Sequence, residues 1–193
     1  MKSFVTSIGP ILPLLGVIIG SLISFTATWY FTKRTDSRAI RQTAAQLAQY
    51  LDAFAHSCAG VISDNDTYSQ SDGHAGAKRV SLPLLGAFPN ETDLGLVEPI
   101  ALSRLLSLKL KWQLASDKIQ FWWDVVGDPE CMPTETDQQC GVLGIEALEI
   151  AKMLRKSAQL PKPLYAEFYW DFSKTLHRER ECAIKRINED KET

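Results

Sequence analysis

The chain is short of histidine and of every common catalytic signature. Three histidines occur in 193 residues, His56, His74 and His177, and none stands at a spacing that supports a nucleophile. GxGxxG, the Walker loop, GxSxG, HExxH and paired CxxC are all missing. The pattern therefore names no catalytic, cofactor-binding or metal-binding residue, and it leans away from an enzyme.

A charge imbalance is missing too. Lys and Arg number 21 against 23 Asp and Glu, for a net charge of -2, and no basic face is legible, which argues against nucleic acid as the main partner. The cysteines are Cys58, Cys131, Cys140 and Cys182, reduced thiols if they lie in the cytoplasm. With the opposite topology, Cys131 and Cys140 would be placed to close a loop as a disulfide. A zinc site from Cys131, Cys140, His177 and Cys182 fits no ligand spacing of the usual structural sites.

The most informative absence is of charge near the start, where no Asp, Glu, Lys or Arg occurs between Ser3 and Thr32. About 20 apolar residues at a rise of 1.5 Å match a hydrocarbon core roughly 30 Å thick. The run predicts a transmembrane helix over residues 10–32, preceded by a short tail, residues 1–9. Gly9 and Pro10 mark its start, and Trp29 and Tyr30 sit at the level of an interfacial aromatic belt. Lys33, Arg34, Arg38 and Arg41 form a juxtamembrane basic cluster that outweighs Lys2 on the other flank. Because Lys and Arg resist translocation, the tail is expected outside and the rest of the chain in the cytoplasm. The lipid bilayer is the first expected partner, and the basic cluster can also touch anionic headgroups. A cleaved signal peptide is the rival reading. The apolar run is too long for it, and Phe25-Thr26-Ala27 is a poor cleavage site. Within the span, Gly16, Gly20, Ser24 and Thr28 share a four-residue spacing. Small residues on one face let a second helix approach, so a homo-oligomer through this stripe, or a partner helix, is expected.

Beyond the span the sequence predicts an all-α fold: a bundle of about four helices over residues 33–188, with a loop and proline-rich strap (63–99) inside it and a tail (189–193). The helix does not stop at the membrane, since Thr35 to Ile62 holds no proline and no glycine before Gly60. Ile40, Ala44, Leu47, Leu51, Phe54, Cys58 and Val61 make one apolar seam on it. Ser63 to Arg79 reads as a loop. Asp64 and Asp66 open a calcium-loop pattern that fails at Ser69 and Ala75. Leu82 to Pro99 carries three prolines among leucines, which predicts an extended strap lying across the bundle. Ile100 to Val126 is the clearest soluble helix. Its row Ala101, Leu105, Leu108, Trp112, Ala115, Ile119, Trp122 and Val126 runs beside a second row, Leu102, Leu106, Leu110 and Leu114. So wide an apolar surface predicts a central helix touched on several sides. A further helix over Thr136 to Ala158 turns Leu143, Ala147, Ile150 and Leu154 inward, with Gly141 and Gly144 allowing a close neighbour. The last segment opens with Tyr165, Phe168, Tyr169, Phe172 and Leu176 as a packing stripe, then alternates charge to the end.

The stretch from Leu82-Pro83 through Ala87-Phe88-Pro89, and from Glu98-Pro99 to Leu108, resembles a group of uncharacterised bacterial single-span membrane proteins. So does the helix from Gly144 to Arg155 with Leu160-Pro161 after it. The resemblance implies an inner-membrane anchor and a helical domain, and it carries no activity. The expected function is a membrane-held interaction or scaffold module that self-associates or binds a protein partner. The alternative is a small-molecule sensor, or an enzyme of unfamiliar type, with a pocket between the strap and the Trp112–Trp122 face. Trp122 and Trp123 could stack a ligand, but their helical spacing favours core or interface packing, and Asp124 and Glu98, the acids expected nearest a groove, carry no assigned role.

Overall fold

The first element is a 60-residue helix from Ile11 to Gln70, α1; Pro13 falls in its first turn, and no proline or glycine interrupts it between Gly20 and Gly60. In this computed structural model the backbone is described for residues 11–89, 91–126, 131–163, 165 and 171–192. Side chains are described for these except residues 11–20, 23, 27–36, 91–93, 126, 131, 132 and 190–192. A 3-10 turn spans Glu91–Leu96, and the remaining helices are α2 (Pro99–Val126), α3 (Cys131–Ala158) and α4 (Phe172–Glu192). All regular structure among the described residues is helical, as expected. Pro99 opens α2 and Pro133 lies in the first turn of α3, positions where a missing N–H costs nothing.

Two units divide the chain, residues 1–40 and 41–193. In the first, Leu22 and Phe25 are exposed, and Thr26 Oγ1 donates to the Leu22 carbonyl at 2.9 Å. Among the described residues no helix is long and apolar enough to cross a membrane. Most of the predicted span, residues 11–20, 23 and 27–31, lies outside the described side chains, so the anchor rests on the sequence.

In the second unit the seam of α1 is buried from Ala44 to Cys58, joined by a row of Ala48, Ala55 and Ala59. The seam is shorter than expected. Ile40 is exposed, and Ile62 takes the buried place assigned to Val61. The expected loop after residue 62 is a continuation of α1 for two more turns. Its polar residues conceal the helix because they bond locally and across the fold: Thr67 Oγ1 donates to the Ser63 carbonyl at 2.7 Å, and Asn65 is buried. Gly73, at φ +83°, ends the helix with its N–H on the Tyr68 carbonyl at 2.9 Å.

α3 is the centre of this unit. Leu143, Ala147, Ile150 and Leu154 are buried as predicted, and the helix begins at Cys131 rather than Thr136. It packs against both α2 and α4. A Cβ on Gly141 would lie 2.6 Å from the Arg180 backbone nitrogen, and one on Gly144 2.7 Å from Leu176 Cδ2. These glycines let α4 come close, as expected. The proposed Cys131–Cys140 disulfide is ruled out on either topology. Both residues lie on α3, where nine residues rise about 13 Å, twice the Cα separation a disulfide spans, and Cys140 is a buried free thiol. At its C-terminus Gln159 takes φ 53°, and the Leu160 N–H reaches back to the Arg155 carbonyl at 2.9 Å before Pro161 and Pro163. In the aromatic stripe, Phe168 and Tyr169 lie outside the described residues, while Phe172 and Leu176 are buried.

Candidate functional site

The predicted groove between the strap and the tryptophan face is already filled by the chain itself. Leu85 and Phe88 of the strap are buried, Trp112 Nε1 donates to the Pro83 carbonyl at 2.9 Å, and Tyr50 of α1 meets Phe88 edge to face at 5.9 Å. Burial raises the Tyr50 phenol above its usual range, opposed by a bond to the Gly86 backbone. Trp122, Trp123 and Asp124 are exposed beyond this contact, with Asp124 accepting from Gln120 Nε2. Glu98 is exposed as well. Among the described residues and cavities, none gathers Trp122, Trp123, Asp124 and Glu98 together.

α2 is also not the central helix its composition suggests. Its first row is buried from Ala101 to Ile119, except Trp112, which is half-buried. Basic residues beside that row fasten it to acids of α3: Arg104 to Glu146 and Glu149 at 2.8 and 2.7 Å, Lys111 to Glu146 at 3.1 Å, and Lys118 to Glu135 at 2.7 Å. Burial raises the Glu135 carboxyl, yet Lys118, Gln139 and Arg186 together hold it below the usual range. In the second row Leu102 is half-buried against the core, and the rest of the row is bare. Leu106, Leu110 and Leu114 are 52%, 57% and 60% exposed, and Phe121 and Val125 extend the stripe. Exposed single leucines are ordinary, whereas this row is a contiguous apolar stripe along one helix face.

A cavity of about 760 Å³ lies elsewhere, between α1, the end of α3 and the connection after it. Ala45, Ala48 and Ala53 line one wall, and Leu160, Pro161, Pro163 and Phe172 face them. The small alanine side chains leave the space. Asp52 and Arg155 meet in it through two parallel bonds, Nη1 to Oδ1 at 3.2 Å and Nη2 to Oδ2. Both side chains are largely buried. Burial raises the Asp52 carboxyl, opposed by Arg155. Phe172 takes His56 and Tyr165 edge to face, at 5.4 and 4.9 Å. Beyond the same connection a second cavity of about 630 Å³ carries Lys152, Lys156 and Glu149.

A polar cluster closes the far end of α1. Asn65 Nδ2 donates to Asp137 Oδ1 at 2.7 Å and to the Arg79 carbonyl at 3.0 Å, and the Arg79 N–H returns to Asn65 Oδ1 at 2.6 Å. Burial pushes the Asp137 carboxyl up to about 7, with the charges of Glu179 and Asp66 adding to it and Asn65 and Arg178 opposing. Asp64 pairs with Arg79 and Asp66 with Arg178. The Cys140 thiol is held well above its usual range by its hydrogen bond to Cys58 and by burial, which suppresses the nucleophilic thiolate. Cys182 is exposed. Among the described residues no group of His, Cys, Asp and Glu is arranged to hold a metal ion.

Of the residues singled out in the span, Ser24 is exposed, and the surroundings of Gly16, Gly20 and Thr28 lie outside the described residues. Lys33 and Arg34 lie outside them too. Arg38 is exposed, and Arg41 Nη2 donates to Gln159 Oε1 at 3.4 Å. Sequence reasoning missed the Asp52–Arg155 pair because its partners lie 103 positions apart. The alanines at 45, 48 and 53 were the available signal, being small residues on one face of a helix. No protein-family profile matches the chain, and neither a curated protein nor a solved structure matches it.

Proposed function

We propose that this chain is a membrane-anchored helical interaction module that self-associates. The observation that carries the reading is the bare apolar row of α2, a helix otherwise fastened to α3 by ion pairs. Water around Leu106, Leu110 and Leu114 is released when a partner surface covers them. The partner is a second copy, because the N-terminal span brings copies together. Its Gly16, Gly20, Ser24 and Thr28 stripe lets two helices approach, and confinement to one membrane raises the effective concentration of every further contact. The span itself is supported by the charge-free run from Ser3 to Thr32 and by the exposure of Leu22 and Phe25. The basic cluster Lys33, Arg34, Arg38 and Arg41 puts the helical unit on the cytoplasmic side of an inner membrane crossed once.

Cross-linking tests the α2 contact. Leu114→Cys, in a chain with Cys131→Ser and Cys182→Ser, should give a disulfide-linked dimer in native membranes under mild oxidation. Capture of another protein instead of a second copy, or no adduct, would overturn the self-association reading. Topology is tested separately: protease added outside spheroplasts should leave the helical unit intact, and its digestion would reverse the orientation.

A further inference from the structure

We propose that the cavity beneath the Leu160–Pro163 connection binds an anionic amphiphile, a molecule with an apolar chain or fused-ring body and a carboxylate or phosphate head. Its volume, about 760 Å³, falls within the roughly 300–1,000 Å³ of small-molecule sites. Most of the wall is alanine, leucine, proline, tyrosine and phenylalanine, so the body of the ligand is apolar, while Gln49, Asp52, His56, Arg155 and Lys162 supply the polar groups. Charge decides the head. Asp52 is matched by Arg155, and Glu149 by Arg104 and Arg180. Lys152, Lys156 and Lys162 stand on the walls of the two cavities that flank the connection, and no carboxylate among the described residues pairs with them. Lys162 lines both cavities and is exposed, so it is the lysine available to the head of a molecule seated in the first. A cationic or neutral ligand would leave this positive rim unmatched, whereas an anion is drawn to it. The site is independent of the α2 face and of self-association.

Palmitate is a suitable probe, with its methyl ester as the control that lacks the charge. The full chain in phosphatidylcholine nanodiscs should gain about 3 °C or more in unfolding midpoint at saturating palmitate, and nothing with the ester. Ala53 is an exposed lining residue, so Ala53→Trp fills the space without entering the core and should abolish the gain. Lys162→Glu should weaken palmitate binding at least tenfold while leaving the unliganded midpoint in place. Nanodiscs containing phosphatidylglycerol separate two sources of the same chemistry. Loss of the palmitate response there, with Ala53→Trp unresponsive in both kinds of nanodisc, identifies a bilayer lipid as the occupant. An undiminished response identifies a free amphiphile. No shift with palmitate, an equal shift with the ester, or a full shift in Ala53→Trp would overturn the proposal.

Discussion

α2 and α3 are each 28 residues long and read similarly as apolar helices, yet they occupy opposite stations. α3 is covered by α1, α2 and α4, and two of its glycines sit in near contact with α4. α2 carries the longer leucine rows but is covered on one face, by α3 and the strap. The difference teaches that apolar width does not identify the helix at the centre. Small residues at points of close approach do, because a neighbour's backbone can come near only where no side chain stands.

Substitutions on the two helices should sharpen this contrast. The largest effect is expected at Arg155→Met on α3, which strands the buried Asp52 carboxylate and should cost about 3–5 kcal/mol in chemical denaturation. The Asp52→Leu/Arg155→Met double variant should recover most of that loss. A loss equal to the sum of the two single changes would show that the two residues are not coupled and would contradict the pairing. Next is the buried Asp137. It is ionised from about pH 4 upward in the unfolded chain but protonated up to about pH 7 in the folded one. Stability should therefore fall as pH rises between those values, and the full penalty is present above pH 7. Asp137→Asn should flatten this dependence and gain on the order of 2–4 kcal/mol at pH 8 relative to pH 4. An unchanged pH profile would contradict the assignment.

Gly141→Ala should cost about 2–3 kcal/mol, because its Cβ meets the α4 backbone. Gly144→Ala should cost less, since it meets the movable end of Leu176. Equal effects would mean that α4 shifts as a body. Thr136 Oγ1 is fully buried with no hydrogen-bond partner among the described residues, so Thr136→Val should stabilise by about 1 kcal/mol. The smallest effect belongs to α2. Leu110→Lys should change the stability of an isolated copy by no more than about 0.5 kcal/mol, as surface substitutions do. A loss of several kcal/mol would show that this row is packed within the chain after all.

Much of the helical architecture was legible from spacing. The Leu143, Ala147, Ile150, Leu154 face, the α1 seam around Leu47, Leu51 and Phe54, and the prolines that open α2 and follow α3 all follow from local rules. The last turns of α1 were not legible, because Ser63, Asn65 and Thr67 look like loop residues. They serve instead as hydrogen-bonding groups on a polar helix end. The bare row of α2 was visible as a row but not as bare, since sequence does not tell which neighbour covers which side. The cavity was the least legible feature. It arises where three alanines of α1 face a proline-stiffened connection more than a hundred residues away, and its lining emerges only in three dimensions.

The central claim is that the exposed row of α2 holds copies together, and sedimentation equilibrium of the full chain in mild detergent tests it most directly. The native chain should sediment as a dimer or larger, and Leu110→Lys/Leu114→Lys should reduce it to a smaller species with an unchanged unfolding midpoint. A native monomer, or an oligomer that the double variant leaves intact, would contradict the account.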